Sequence, residues 1–229
     1  MKKEKVLIVG SSGHSKVIID IFEKMSNVSI LGLIDANRPV GSETLGYKIL
    51  GSDDIINELF LKDQNIKIFV AIGDNFTRYK VVKKIKSLIP DIEFISAIHP
   101  NSIIGKNVKI GKGVAIMAGV IVNSDSIISD FCILNTNASL DHDNVMEKYS
   151  SLAPNSVTGG DVKIGEFSSI SISATIKHGI SIGEHSIIGA GSVLLNNCPN
   201  NMIFYGIPAR EIRKREAKIS LGSITVSIT

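Results

Sequence analysis

The sequence predicts a chain in two parts, a small α/β domain with a parallel sheet followed by a triangular parallel β-solenoid. Three observations carry that reading. Every sixth residue from Ile98 to Leu194 is aliphatic, with one exception. A second column, four residues after each of these positions, is mostly small or β-branched. Residues 1–95 lack the six-residue period and alternate strand-like apolar runs with helical patterns.

The first domain, residues 1–95, opens with KVLIV (5–9), which reads as a buried strand. The turn Gly10-Ser11-Ser12-Gly13 follows, then an apolar helical pattern through Val17, Ile18, Ile21, Phe22 and Met25. A second strand covers about 29–34 and ends in Asp35; a third, 66–72, ends at Gly73-Asp74. Short helices are predicted near 53–61 and 76–88. Strand, helix, strand, helix, strand is a parallel, doubly wound unit, a small Rossmann-like sheet. Ligands of such sheets sit at the carboxyl ends of the strands, here Gly10–His14, Asp35–Asn37 and Gly73–Asn75. GSSGH lacks the third glycine of the dinucleotide fingerprint. A tight glycine turn feeding a helix N-terminus still presents free N–H groups to a phosphate. The alternative is a turn that binds nothing. So small a domain suits a mononucleotide or a nucleotide-linked sugar better than NAD.

The second domain, residues 96–200, carries the period of six. Its series is Ile98, Ile104, Ile110, Ile116, Val122, Ile128, Leu134, Leu140, Met146, Leu152, Thr158, Ile164, Ile170, Ile176, Ile182, Ile188 and Leu194. Six fits neither a helix at 3.6 nor an alternating strand at 2. It fits a coil of three six-residue sides, each with one aliphatic side chain inward. Thr158 is the one polar member. Gly or Asn often follows the aliphatic residue (Gly105, Gly111, Asn123, Asn135, Gly159, Gly165), where a positive φ is expected. Residues 18 apart then stack at roughly 4.8 Å. His142, two places after Leu140, points outward, with Gly160 next to it on the following coil and His178 on the one after. A histidine beside a residue without a side chain has room for a substrate, and Gly159-Gly160 supplies bare backbone N–H groups. An exposed histidine without a role is the alternative, weakened by the flanking Asp141 and Asp143.

Composition narrows the classes. Of 229 residues, 44% are hydrophobic, and 25 basic against 22 acidic residues leave a net charge of +3, too balanced for nucleic-acid binding. No apolar run is long enough to span a bilayer, and the five-residue apolar stretch after MKKEK does not make a signal peptide, so a cytoplasmic protein is expected. Cys132 and Cys198 have neither metal-like spacing nor partners and read as reduced thiols.

The hexapeptide pattern resembles that of the hexapeptide-repeat acyltransferases, whose fold is a left-handed parallel β-helix. The order of motifs sharpens the likeness. Gly10-Ser-Ser-Gly-His14-Ser-Lys16-Val17, then Asp35, then Ala-Ile-Gly-Asp74-Asn75 with Arg78, joins a solenoid carrying Asn135-Thr136 and His142-Asp143 and closing with Gly206-Ile-Pro208-Ala-Arg210. Over about residues 4–215 the chain resembles the NeuD/PglD-like sugar acetyltransferases. The resemblance implies a nucleotide-linked sugar held by the first domain and acetyl-coenzyme A bound between subunits of a homotrimer. It implies transfer of an acetyl group to an amine, less often a hydroxyl. His142 would be the base, paired with Asp143, or with Asp141 as second choice. Substrate contacts would fall to Gly10, Ser12, Gly13, His14, Asp35, Asn37, Gly73, Asp74 and Asn135. Coenzyme contacts would fall to Gly160, Ile172, Ala190, Ile207, Pro208 and Arg215. Several have plain rivals: a polar helix start for His14, strand-end turns for Asp35 and Asn37, a repeat turn for Asn135, and a solvated helical end for Arg213, Lys214 and Arg215.

A protonated sugar amine cannot attack a thioester until a base takes its proton, and histidine with an ordinary pKa of ~6.5 suits that task. A carboxylate on the other ring nitrogen fixes the tautomer, and a backbone N–H of Gly159 or Gly160 would meet the oxyanion. The expected reaction is direct N-acetylation of a nucleotide-linked 4-amino-4,6-dideoxyhexose, for lipopolysaccharide, capsule or glycan synthesis. The alternatives are a sialic-acid-type sugar O-acetyltransferase and a non-catalytic trimeric sugar-nucleotide-binding protein. His142 and His178, 36 residues apart, also resemble a spacing of the zinc-binding γ-class carbonic anhydrases, but the expected third ligand is Gly183 here and His185 lies elsewhere on the coil. No metal is expected. Two departures stand out: Ser151 lies near where many relatives carry a second histidine, and residues 201–229 end in an extra tail, 217–229, with β-prone alternation.

Overall fold

A computed structural model describes residues 3–215; the tail 217–229 lies outside them. The first domain holds β1 (Glu4–Val9), α1 (Gly13–Lys24), β2 (Val28–Ile34), β3 (Glu43–Thr44), β4 (Tyr47–Gly51), α2 (Asp54–Lys62), β5 (Ile66–Val70), α3 (Asn75–Leu88) and β6 (Glu93–Phe94). The sheet order is β3-β4-β2-β1-β5-β6, parallel except for the β3–β4 hairpin. Alternation along β1 sends Val6 and Ile8 to one face, against Ile18, Ile21 and Phe22 of α1. Leu7 and Val9 go to the other, with Ile56 of α2 and Val82 and Ile85 of α3. That is the doubly wound arrangement. The sequence carries no clear signal for the β3–β4 hairpin: β3 is two residues long, and only Leu45 and Gly46 lie between the strands.

The solenoid is a left-handed parallel β-helix. Its three sides begin at Ala97–Ile98 (side I), Ile103–Ile104 (side II) and Lys109–Ile110 (side III), and each two-residue strand pairs in parallel with the one 18 residues on. The aliphatic column from Ile116 to Leu194 is buried, and so is the column four residues later from Val114 to Ser192. Side I is prolonged by a hairpin, Met202–Gly206 with Ala209–Lys214, laid parallel onto Ile187–Ile188. Arg213 and Lys214 therefore belong to a strand and not to a helical end: the edge of side I offers a free ladder to pair with.

The turn chemistry differs from expectation. The left-handed residue of each corner stands three places after the aliphatic one, as at Asn107, Asp125, Asn137, Asp143 and Asn155, and not one place after it. Glycine at the earlier position serves close approach instead. A Cβ built on Gly159 would lie 2.8 Å from the His178 backbone nitrogen of the next coil.

Between sides III and I the left-handed position is held by Phe131, Tyr149, Phe167 and His185, at φ near 54 to 59°. Their rings stack at centroid distances of 5.1, 5.3 and 4.6 Å. Tyr79 of α3 sets its edge against Tyr149 and Phe167, and Phe94 against Phe131. Arg78, fully buried, donates to the carbonyls of Phe131 (2.9 Å) and Tyr149 (3.2 Å) across the domain boundary. Asn75 Nδ2 reaches Ser151 Oγ (3.2 Å) and Ser169 Oγ (3.0 Å). The first domain is thus bolted to the III–I corner.

Candidate active site

His142 stands on the corner between sides II and III, its side chain 60% exposed. The next residue, Asp143, takes the left-handed conformation (φ 59°) and is held there by its own N–H donating to the Ser124 carbonyl, 3.1 Å. That turn swings the Asp143 carboxylate back to the His142 ring, with Oδ2 2.8 Å from Nδ1. Asp141 faces a different way: its Oδ1 accepts from the His142 backbone N–H (2.9 Å) and from Asn123 Nδ2 (2.7 Å). Asp143 is therefore the carboxylate on the imidazole, and Asp141 shapes the backbone. The Asn123 bond, more than the His142 N–H, holds the Asp141 carboxyl below the usual range. The hydrogen bond to Asp143 first, and the Asp141 charge next, raise the His142 imidazole above its ordinary value.

Gly160 lies directly against the ring. A Cβ there would fall 2.4 Å from His142 Cε1 and 2.6 Å from Nε2. With Nδ1–H donated to Asp143, Nε2 keeps its lone pair. The ring itself covers Gly160, which is buried, so the room expected beside this glycine is taken by the imidazole. The two glycines are not equivalent as donors, because the Gly159 N–H already donates to the Ile176 carbonyl at 2.9 Å. The Gly160 N–H makes no such backbone bond among the described residues.

The other candidates fall into separate places. Gly10, Ser12, Gly13, His14, Asp35, Asn37, Gly73 and Asp74 gather at the carboxyl ends of β1, β2 and β5. Gly10 has φ 107°, and a Cβ on it would come 2.9 Å from the Ala71 carbonyl oxygen. Ser11 Oγ donates to Asp35 Oδ2 at 2.5 Å, tying the first strand end to the second, and the Asn37 N–H donates to Asp35 Oδ1 at 2.9 Å. Ser12 precedes α1 but its hydroxyl makes no cap bond. Asp74 caps α3, accepting from the Thr77 N–H at 2.8 Å. His14 is largely buried, and its Nε2 has no hydrogen-bond partner among the described residues. Burial, helped by the Arg78 charge, pulls its pKa down to about 4, so it is neutral at pH 7.

Asn135, Ile172 and Ala190 lie on the I–II corner. Ile172 is 54% exposed, as is Ile207 at 76% on the hairpin turn with Pro208. Tyr205 of the same hairpin packs on Gly189, so hairpin and corner form one apolar surface suited to a pantetheine arm. Arg215 does not join them. It sits at the III–I corner, where Nη1 donates to the carbonyls of His185 (3.1 Å) and Phe167 (3.4 Å), because the last strand runs antiparallel across side I and ends there. Cys132 and Cys198 are buried and away from His142. His99 is buried too, its Nδ1 accepting from the Asn101 N–H at 3.0 Å. His185 stands on a different corner from His142 and His178, and no group of three metal-ligating side chains gathers among the described residues.

Two interior residues next to the site had no assigned role beforehand. Thr158, the polar break in the aliphatic column, and Asn144, the sole amide of the small column, bond to each other at 3.0 Å beneath Asp141. Their departure from their columns was the available signal.

A sheet domain with open strand ends, docked on a hexapeptide solenoid that bears an outward His–Asp pair, has the make-up of a hexapeptide-repeat acyltransferase. Residues 5–85 match the family model for the PglD N-terminal domain, and 161–196 match bacterial transferase hexapeptide (six repeats). The chain is similar to PerB from Caulobacter crescentus, solved with CoA and GDP-perosamine: 34% identity, 91% of this chain and 97% of that chain, TM-score 0.84. It is also similar to the acetyltransferase domain of PglB from Neisseria gonorrhoeae, solved with acetyl coenzyme A: 26% identity, 92% of this chain and 100% of that one, TM-score 0.83. WeeI from Acinetobacter baumannii shares the fold at 22% identity, with 90% and 99% covered and a TM-score of 0.74. The chain belongs to the NeuD/PglD-like family of sugar acetyltransferases.

Proposed function

We propose that this enzyme transfers the acetyl group of acetyl-coenzyme A to the amine of a nucleotide-linked 4-amino-4,6-dideoxyhexose, with His142 as general base. The observation that carries this reading is the His142–Asp143 pair set against Gly160 on an outward corner. His142 Nε2 takes a proton from the attacking amine, and the imidazolium is steadied by Asp143. The amine nitrogen forms the new bond to the thioester carbonyl carbon. The Gly160 N–H faces the charge that develops on the carbonyl oxygen. The carbon–sulfur bond then breaks, and the proton held by His142 passes to the leaving thiolate. No cysteine is needed, in keeping with the burial of both.

The nucleotide is assigned to the strand ends around Gly10–His14 and Asp35, and the pantetheine arm to Ile172, Ala190 and Ile207. In a single chain these lie on different corners from His142, which favours a homotrimer whose sites form between neighbouring subunits. No described helix is long and apolar enough to cross a membrane. Acetyl-coenzyme A as donor favours action in the cytoplasm, and the amino-sugar acceptor favours a role in surface-glycan synthesis.

Thiol release from acetyl-coenzyme A, measured with a panel of GDP-, UDP- and dTDP-linked 4-amino sugars that includes GDP-perosamine, is the direct test. Turnover with one of them is expected, and His142→Ala should lower kcat by 10²-fold or more. Acetylation of hydroxyl acceptors alone would move the assignment to an O-acetyltransferase. Full turnover by His142→Ala would remove the base.

A further inference from the structure

We propose that Asn144 and Thr158, facing each other inside the coil, are positioning residues that hold the His142 corner and the Gly160 corner in register. The proposal rests on the reading of His142 as the base. Both residues occupy columns that elsewhere do without them: Ala138, Val162 and Ala174 fill the Asn144 column, and aliphatic side chains fill every other position of the Thr158 column. An apolar residue therefore satisfies the fold at either place. What the amide and hydroxyl add is direction.

Asn144 is fully buried and its amide is fully engaged. Nδ2 shares its two hydrogens among three acceptors, the Asp141 carbonyl (2.7 Å), Thr158 Oγ1 (3.0 Å) and the Gly159 carbonyl (3.0 Å). Oδ1 accepts from the Val162 N–H at 2.5 Å. Thr158 Oγ1 accepts from the Asp141 N–H at 3.2 Å, and Ser126 Oγ donates to the Asp141 carbonyl at 2.7 Å. Both polar atoms of the Asp141 backbone are thus fixed from inside, one peptide before His142. The same amide grips the carbonyl of the peptide that links Gly159 to Gly160. One side chain spans the two stacked corners between which the ring and its glycine meet.

Serines of the same column show what one hydroxyl can do. Ser126 and Ser168 each donate to a carbonyl of the following coil, Asp141 at 2.7 Å and Gly183 at 2.6 Å. The Asn144 amide, by contrast, holds a carbonyl of its own corner and one of the following coil together. Ser150 Oγ donates to the Glu147 carbonyl at 2.7 Å and Ser156 Oγ to the Ala153 carbonyl at 2.7 Å, each to the corner just before it in the chain. Neither hydroxyl bonds a carbonyl of the following coil. Directional bonds in a dry interior constrain geometry more than an apolar contact does. An ångström of misplacement at a reacting atom is worth about 10²-fold in rate.

Asn144→Ser is the sharpest variant, since serine is native to this column at several positions. Its one hydroxyl can hold the Asp141 carbonyl, as Ser150 holds Glu147, or the Gly159 carbonyl, as Ser126 holds Asp141, but not both. Thr158→Val removes the hydroxyl at nearly constant shape, and Thr158→Ser restores it. Ser150→Ala controls for loss of a buried interior hydroxyl at another corner.

Two readouts are needed in the full-length protein. The first is an NMR titration of the His142 imidazole, which requires no substrate. The groups around it are Asp141 and Asp143 on its corner, Asp125 one coil before, Asp161 one coil after and His178 two coils on; all are left unchanged. The second is kcat and KM by thiol release.

Asn144→Ser and Thr158→Val should move the His142 titration down from its raised position toward the ordinary value. They should lower kcat about ten-fold or more with KM for acetyl-coenzyme A little changed. Thr158→Ser should recover both, and Ser150→Ala should alter neither. Wild-type titration and kcat in Asn144→Ser would overturn the proposal even if Thr158→Val failed to fold. Equal losses in Thr158→Val, Thr158→Ser and Ser150→Ala would also overturn it, by making the role one of stability alone. Should His142→Ala keep its turnover, the function reading falls, while the titration still reports whether the network holds the ring.

Discussion

The His142 ring is set by neighbours that each do one thing. Asp143 turns back through a left-handed corner to meet Nδ1. Asp141 holds the backbone, and Gly160 leaves the space. Gly160 does not adopt a positive φ, so alanine is compatible with its backbone. The alanine methyl would nevertheless collide with the His142 ring, which is exposed and able to swing away. Gly160→Ala should therefore cost less than about 1 kcal/mol in thermal or denaturant unfolding, while kcat falls by about 10²-fold. A Gly160→Ala enzyme with normal kcat would show that contact between ring and backbone has no part in catalysis. His142, its flanking aspartates and Gly160 were legible from the period alone, because a register of six and a coil of 18 fix which residues share an outward corner. The choice between Asp141 and Asp143 was not. It depends on which of the two takes the left-handed turn, and that position lies three residues after the aliphatic one and not one.

At the scale of elements, the aromatic ladder and α3 do what no single motif announced. Phe131, Tyr149, Phe167 and His185 recur every 18 residues in the sequence. Their purpose appears only when α3 lies along them. Holding an aromatic residue at positive φ costs energy, of order 1–3 kcal/mol each. Stacking and burial under the first domain offset it. Arg78 is the centre of this joint, donating to five oxygens, among them the Ile72 and Gly73 carbonyls at 2.9 and 3.0 Å. Burial lowers its pKa only to about 10, so it remains charged at pH 7. Arg78→Met should destabilise the protein by about 3 kcal/mol or more, since buried carbonyls would lose their donor. Hydrogen exchange should rise in α3 before it rises in the solenoid. A loss below about 1 kcal/mol with unchanged exchange would show that apolar packing alone holds the domains together.

For the whole molecule, the first domain is docked beside the III–I corner while His142 stands at the II–III corner. On the proposed reading, a sugar held by the first domain of one chain would be acetylated at the His142 of another. Sedimentation equilibrium at micromolar concentration should return three times the mass of the chain. A fully active monomer would place the complete site within one chain and would require the first domain to leave the III–I corner.

The sequence by itself determined the solenoid, its coil length, the faces of its side chains and the parallel sheet before it. Each follows from a period repeated many times, and repetition makes a local preference unambiguous. It also determined the outward histidine beside a glycine. Tertiary structure alone decided which carboxylate meets the imidazole, where Arg215 ends, how Asn144 and Thr158 bond beneath the His142 corner and which corner carries the first domain. Those outcomes depend on single contacts between distant segments, and a contact made once leaves no period to read.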